Sequence, residues 1–189
     1  MDDEKFFGYI NTPTVILIHG YIGFGKTTIA KKLQRLLGYK RFTHDEYMSK
    51  MFGDHPTNEE FEASYNKATE VILKKVEKEL QNGRSVILDF GFWTKKSREE
   101  ICSIIDSFTF AYDAGNKHLE LKNSIPTVLW VNVECDINVA RQRCIERDKN
   151  RKPGQLWVPV EVFDMKLNQF EPMNEHEFPF NRLNIKPSK

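Results

Sequence analysis

The chain has 189 residues, with 28 basic and 27 acidic side chains and a net charge of +1. Near-neutrality excludes a bulk field for nucleic acid or an anionic membrane, and no apolar run approaches the roughly 20 residues of a membrane span. Cys102, Cys135 and Cys144 are odd in number and lack paired spacing, which fits a reducing cytosol and neither a disulfide framework nor a zinc site.

The length suits a single domain over 1–189. Its acidic start, Met1-Asp-Asp-Glu-Lys5, is not a secretory signal, so a cytoplasmic protein is expected. Residues 1–12 read as a leader, with Phe6, Phe7 and Tyr9 covering a core edge. A first strand spans about 14–19 and runs into Gly20-Tyr-Ile-Gly-Phe-Gly-Lys-Thr27. A helix follows from Thr28 to Leu37, with Ile29, Ala30, Leu33, Leu36 and Leu37 on one face and Gly38 as its stop. A short strand, Lys40 to Thr43, ends at His44-Asp45-Glu46. Thr57 and Glu60 form a capping-box pattern. They open a helix that runs to about Gln81, with Phe61, Tyr65, Ala68, Ile72, Val76 and Leu80 as its stripe.

Ser85 to Phe90 is a strand apolar on both faces, as buried parallel strands are. Thr94 caps a helix through about Tyr112, with Ile101, Ile104, Ile105 and Phe108 inward. Residues 113–126 read as a loop or small insertion. Thr127 to Val133 is the next strand, and Asp136 caps the helix after it. Residues 141–152 hold six basic side chains against Glu146 and Asp148. The Pro153-Gly154 break marks a lid over 148–158, a helix covers about 160–170, and the 178–189 tail supplies a last strand near Arg182 to Ile185. Alternating strands and helices predict an α/β protein, a parallel sheet wound by right-handed crossovers. Ligands in such sheets lie beyond the carboxyl ends of the strands.

The chemistry-bearing residues fall at those ends. Residues 20–27 are a complete G-x-x-x-x-G-K-T phosphate loop between strand and helix, the setting in which the pattern has a mechanism. Backbone N–H groups of Gly20, Tyr21, Ile22, Gly23, Phe24, Gly25, Lys26, Thr27 and Thr28 line the nucleotide side, and the helix adds its positive dipole end. Lys26 is expected on the β- and γ-phosphates, and the Thr27 hydroxyl on Mg²⁺. Asp89, at the end of Val86-Ile-Leu, has the pattern of a second Mg²⁺ residue. Asp45 admits two readings: a helix cap, or the base that takes a proton from an acceptor hydroxyl. Of the aromatics after Asp89, Phe90 is expected inside and Phe92 or Trp93 near the cleft. Arg143 and Arg147 share a helix face and are expected over the γ-phosphate. Arg141 lies on another side. His19 and His44 show neither metal spacing nor a nucleophile partner, and read as structural or substrate-adjacent.

The phosphate loop, Arg41-Phe-Thr-His-Asp-Glu46, Leu88-Asp-Phe-Gly-Phe-Trp93, the Arg143/Arg147 pair and Phe170-Glu-Pro172 occur in order. Together, over about 13–177, they resemble a group of bacterial AAA-type predicted kinases akin to zeta toxins and chloramphenicol phosphotransferase. The resemblance implies a three-layer P-loop nucleoside-triphosphate hydrolase fold of the nucleotide-kinase kind, with a central parallel sheet of five strands. It implies Asp45 as base and Arg143 and Arg147 as phosphate-contacting lid arginines. Phe24 departs from the small residue common at that place, so its ring must turn away from the phosphates or narrow the loop.

The function expected is an ATP- and Mg²⁺-dependent phosphotransferase acting on a small hydroxylated acceptor, with nucleic acid and membrane as unfavoured partners. The alternatives are a polynucleotide 5′-hydroxyl kinase, reading its strand by charge and stacking, or a nucleotide-dependent switch or ATPase without an acceptor. The sequence leaves the acceptor, the choice between ATP and GTP, and the oligomeric state open.

Overall fold

The computed structural model describes residues 13–52, 58–108, 110–111, 123–150 and 159–187. Strands β1 (Thr14–His19), β2 (Lys40–Thr43), β3 (Val86–Gly91), β6 (Thr127–Val133) and β7 (Arg182–Ile185) form one sheet. Its order is β2-β3-β1-β6-β7, and every neighbouring pair is parallel. Strands β4 (Phe110–Ala111) and β5 (Asn123–Ser124) make a separate antiparallel pair. The helices are α1 (Lys26–Leu37), α2 (His44–Phe52), α3 (Asn58–Gln81), α4 (Lys95–Asp106), α5 (Ile137–Lys149) and α6 (Val160–Lys166), the last followed by a 3₁₀ turn at Leu167–Gln169. This is the expected α/β architecture with a five-stranded parallel sheet.

The sheet is apolar on both faces, and strand alternation divides the core into two layers. Val15 and Leu17 of β1, Val86 and Leu88 of β3 and Trp130 of β6 pack with Ile72, Val76 and Leu80 of α3 and Ile101 and Ile105 of α4. On the other face Ile16, Ile18, Ile87, Val131 and Val133 meet Ala30 of α1, Ala140 and Cys144 of α5 and Phe163 of α6.

Several local expectations hold to the residue. Strands β1, β2, β6 and β7 have the expected bounds. Gly38 ends α1, its N–H donating to Gln34 O at 3.0 Å. Thr94 caps α4 in a reciprocal box with Ser97, and Asp136 caps α5 by accepting from the Asn138 and Val139 N–H groups.

Others are corrected. Leu36 of α1 is 70% exposed and Ile104 of α4 is 37% exposed, because each helix presents a narrower arc to the sheet than the apolar stripe suggests. Helix α1 starts at Lys26, two residues early. Helix α4 stops at Asp106, well short of Tyr112, and Asn123–Ser124 form a strand where a loop was expected. Strand β3 runs through Asp89 to Gly91. Of the aromatics after Asp89, Phe90 packs half-buried against the core and His44, Phe92 is buried edge-on to Trp130, and Trp93 is half-buried against Tyr21. A left-handed backbone at Phe92, φ 45°, turns its ring inward. The leader, Thr57, the Glu60 and Phe61 side chains, Tyr112 and residues 151–158 of the expected lid lie outside the description.

Candidate active site

The carboxyl ends of β1, β3 and β2, three neighbours in the sheet, deliver the loop 20–27, Asp89 and Asp45 to one edge. The loop is tight because its glycines adopt conformations closed to other residues. Gly23 has φ 76°, and a Cβ there would stand 2.5 Å from the Ala140 carbonyl oxygen of α5. Tyr21 and Phe24, the bulky members, turn their rings into the core, where they meet each other, Trp93, Phe163 and Phe170. Phe24 therefore leaves the phosphate side clear.

The backbone N–H groups divide. Those of Gly20 and Phe24 donate to Gly91 O and Tyr21 O, at 3.2 and 3.3 Å. Those of Lys26, Thr27 and Thr28 belong to the first turn of α1, which has no intrahelical acceptors for them, and they carry the positive end of the helix dipole. The Lys26 Nζ donates to Tyr21 O at 2.8 Å, folding the ammonium over its own loop. Burial pulls this ammonium below its ordinary range, with Asp89 and then Asp45 opposing.

Asp89 is buried, and the nearby Thr27 hydroxyl opposes the rise of its carboxyl. Burial raises its carboxyl above the usual range against the opposing charges of Lys26 and Arg41. Asp45 lies within the first turn of α2 beside Glu46, on the solvent side. Surrounding protein, and next the like charge of Asp89, raise its carboxyl too, while Lys26 and Arg147 oppose. The charges of Lys26, Asp45, Asp89 and Arg147 thus act on one another.

The two arginines of α5 part company. Arg143 Nη1 donates to Gly23 O at 3.3 Å and rests 3.6 Å from Cys135 Sγ, bracing the loop from behind. Arg147 lies on the Lys26–Asp45 side, with Nη2 3.6 Å from Cys144 Sγ. Arg141 points elsewhere, in a two-toothed ion pair with Asp164.

His19 and His44 are buried. His19 Nδ1 donates to Phe92 O at 3.0 Å. Burial, and next the charge of Arg98, lower its pKa to about 4. His44 stacks on Tyr65 with ring centroids 4.0 Å apart, and burial lowers its pKa to about 3.

Sequence reasoning missed Arg41 and Arg98. Arg41 pairs with Asp89 at 3.3 Å and with Glu46. Arg98, fully buried in α4, grips the Glu177 carboxylate and the carbonyls of Phe92, Trp93 and Glu171. Their buried carboxylate partners, Asp89 and Glu177, lie 48 and 79 residues away, so no sequence pattern marks these pairs.

These features define a P-loop α/β protein whose phosphate loop and two acidic strand ends share one edge. A family model described as an AAA domain matches residues 15–173, and the chain belongs to that family. No protein among the curated sequences matches it. Among solved structures, a Chloroflexus aurantiacus protein described as a candidate kinase is similar at TM-score 0.65 and 17% identity, over 94% of this chain and 86% of that one. A chain of the Pnkp1/Rnl/Hen1 RNA repair complex is similar at TM-score 0.62 and 16% identity, over 84% of this chain and 44% of that one. Chaetomium thermophilum Kti12, solved with ADP-AlF3, is similar at TM-score 0.60 and 17% identity, over 91% and 88%. These likenesses establish a shared fold. With an RNA repair complex among them, the expectation that nucleic acid is disfavoured finds no support. Among the described residues, no helix is long and apolar enough to cross a membrane.

Proposed function

We propose that the protein is an ATP-dependent phosphotransferase acting on the hydroxyl of a small molecule. The observation that carries this reading is the convergence of Lys26, Thr27, Asp89 and Asp45 at the carboxyl ends of three adjacent strands. In this reading the loop amides and Lys26 hold the triphosphate. Asp45, separated from the loop by β3, faces the acceptor, orients its hydroxyl and takes its proton. Its place inside the first turn of α2 favours the base over the cap, since a cap precedes that turn. Arg147 offsets charge on the transferred group, and Arg143 keeps the loop in shape. The residues of the lid exclude water, which would otherwise divert ATP to hydrolysis.

Thr27 and Asp89 fit Mg²⁺. A hydroxyl and a carboxylate side by side are the hard oxygen donors this ion takes together with phosphate oxygens and water. Mg²⁺ held there would neutralise phosphate charge. No group of three or more His, Cys, Asp or Glu side chains among the described residues could hold a metal alone. Kinship with zeta toxins and chloramphenicol phosphotransferase, supported by the ordered sequence blocks, and a cytoplasmic location belong to the same proposal.

Asp45→Asn tests it. ATP affinity should hold while transfer to an acceptor, found by screening pooled metabolites with γ-labelled ATP, falls by about 10²-fold or more. Full transfer by the variant would remove Asp45 as base. The fold likeness to a chain of an RNA repair complex supports a second reading, a 5′-hydroxyl polynucleotide kinase. That reading requires oligonucleotide binding that weakens steeply with salt.

A further inference from the structure

The roles above leave Arg41 without a task. It is the second residue of β2 and lies opposite Ile87, while Asp89 lies opposite Thr43. Its side chain therefore reaches along the sheet to the end of β3. Nη1 donates to Asp89 Oδ2 at 3.3 Å, and Nη2 donates to Glu46 Oε1. The Arg41 side chain is 6% exposed and that of Asp89 2% exposed. Its Nε is buried with no partner among the described residues. Taking a guanidinium out of water with one N–H unpaired is costly. An apolar residue would serve a strand better, so the cost points to work done at the two carboxylates.

Those carboxylates sit on different parts of the site. Asp89 stands beside Thr27 at the root of the phosphate loop. Glu46 is the immediate neighbour of Asp45 on α2. Among the described residues, Arg41 is the side chain that joins them. Its planar fork suits two carboxylates at once, which the point charge of a lysine does not.

We propose that Arg41 is a positioning residue: it fixes the Asp89 carboxylate beside Thr27 and, through Glu46, ties the first turn of α2 to the end of β3. The inference rests on the reading of Asp89 as the metal-side carboxylate. Carboxylates that bind metals are commonly held by such outer partners, whose loss weakens metal affinity by about 10–100-fold.

The test is Mn²⁺ binding to the full chain saturated with ADP, followed by electron paramagnetic resonance, which needs no turnover. Arg41→Gln should weaken Mn²⁺ by about 10–100-fold, leaving metal-free ADP affinity unchanged. Arg41→Lys should recover only part of the loss. Asp89→Asn should weaken Mn²⁺ as well. If Asp89→Asn weakens Mn²⁺ while Arg41→Gln leaves it unchanged, Arg41 is merely structural and the inference is overturned. If neither variant moves it, the metal reading of Asp89 falls and takes the inference with it. Should Arg41→Gln not fold, Glu46→Gln serves, because Glu46 is about half exposed. It should weaken Mn²⁺ in the same direction at an unchanged thermal midpoint, and unchanged affinity would overturn the proposal.

Discussion

In the proposed reaction, Asp45 is the residue on which transfer would turn. Its carboxyl is raised by surrounding protein and then by Asp89, while Lys26 and Arg147 pull it down. A general base acts ionised, so transfer must rise with pH through this raised value. The acid limb of kcat/KM should therefore lie above the ordinary aspartate value of about 3.9. Arg147→Gln removes an opposing cation and should move that limb further up. A limb at or below the ordinary value, or one unmoved in Arg147→Gln, would contradict the assignment. The same shift has a stability sign. A carboxyl raised in the fold favours the folded state at low pH and disfavours it once ionised, so Asp45 and Asp89 both hold charge at some cost to the empty fold. A bound divalent cation would offset that cost.

The phosphate loop is an element whose shape depends on a neighbouring helix as much as on its own turns. Gly23 lies against the backbone of α5 and its carbonyl accepts from Arg143. Gly38 shares a left-handed conformation, φ 70°, with nothing within 4 Å of an added Cβ. The two sites separate conformational strain from crowding. Gly38→Ala should cost about 1–2 kcal/mol of stability, the price of a left-handed alanine, with ADP affinity unchanged. Gly23→Ala should cost more and weaken ADP as well, because loop and helix must part. Chemical denaturation and ADP titration of the two variants check this. Equal stability losses with ADP affinity intact in both would show that the α5 contact is slack.

Across the whole molecule, one buried ion pair joins distant parts of the chain. Arg98 and Glu177 are 79 residues apart, with side chains 1% and 9% exposed. Arg98 also holds the carbonyls of Phe92, Trp93 and Glu171, and the Glu171 N–H donates to Trp93 O. The segment after the 3₁₀ turn is thereby fastened to the loop leaving β3, next to Asp89 and the root of the phosphate loop. Burial alone would raise the Glu177 carboxyl, but the Asn174 N–H and Arg98 outweigh it and hold it below its usual 4.5. A carboxyl lowered in the fold stabilises above its unfolded value and loses that contribution as pH falls through the folded one. Glu177→Gln leaves the Arg98 charge uncompensated and should cost about 3–5 kcal/mol near pH 7. The gap to wild type should narrow as pH falls from the ordinary carboxyl value down through the lowered folded one. Urea unfolding at pH 7 and at pH 3.5 measures both, and a gap independent of pH would refute the role of the charge.

The sequence by itself determined what local chemistry fixes. Apolar runs between turn residues set β1 and β6, Gly38 ended α1, and Thr94 and Asp136 capped their helices, because each signal acts within a few residues of its cause. The spacing of residues 20–27 marked the phosphate loop, and strand ends put Asp45 and Asp89 forward as candidates at the same edge, because parallel sheets gather those ends together. Tertiary structure decided the rest. The exposure of Leu36 and Ile104 depends on how much of a helix the sheet covers. The burial of Phe92 follows from one left-handed residue, and the different tasks of Arg143 and Arg147 from the approach of α5 to Gly23. Arg41 and Arg98 are ordinary basic residues in the sequence, and they acquire meaning only when folding brings Asp89, Glu46 and Glu177 within reach. A charge can be read from a sequence, but its partner is set by the path of the chain through space.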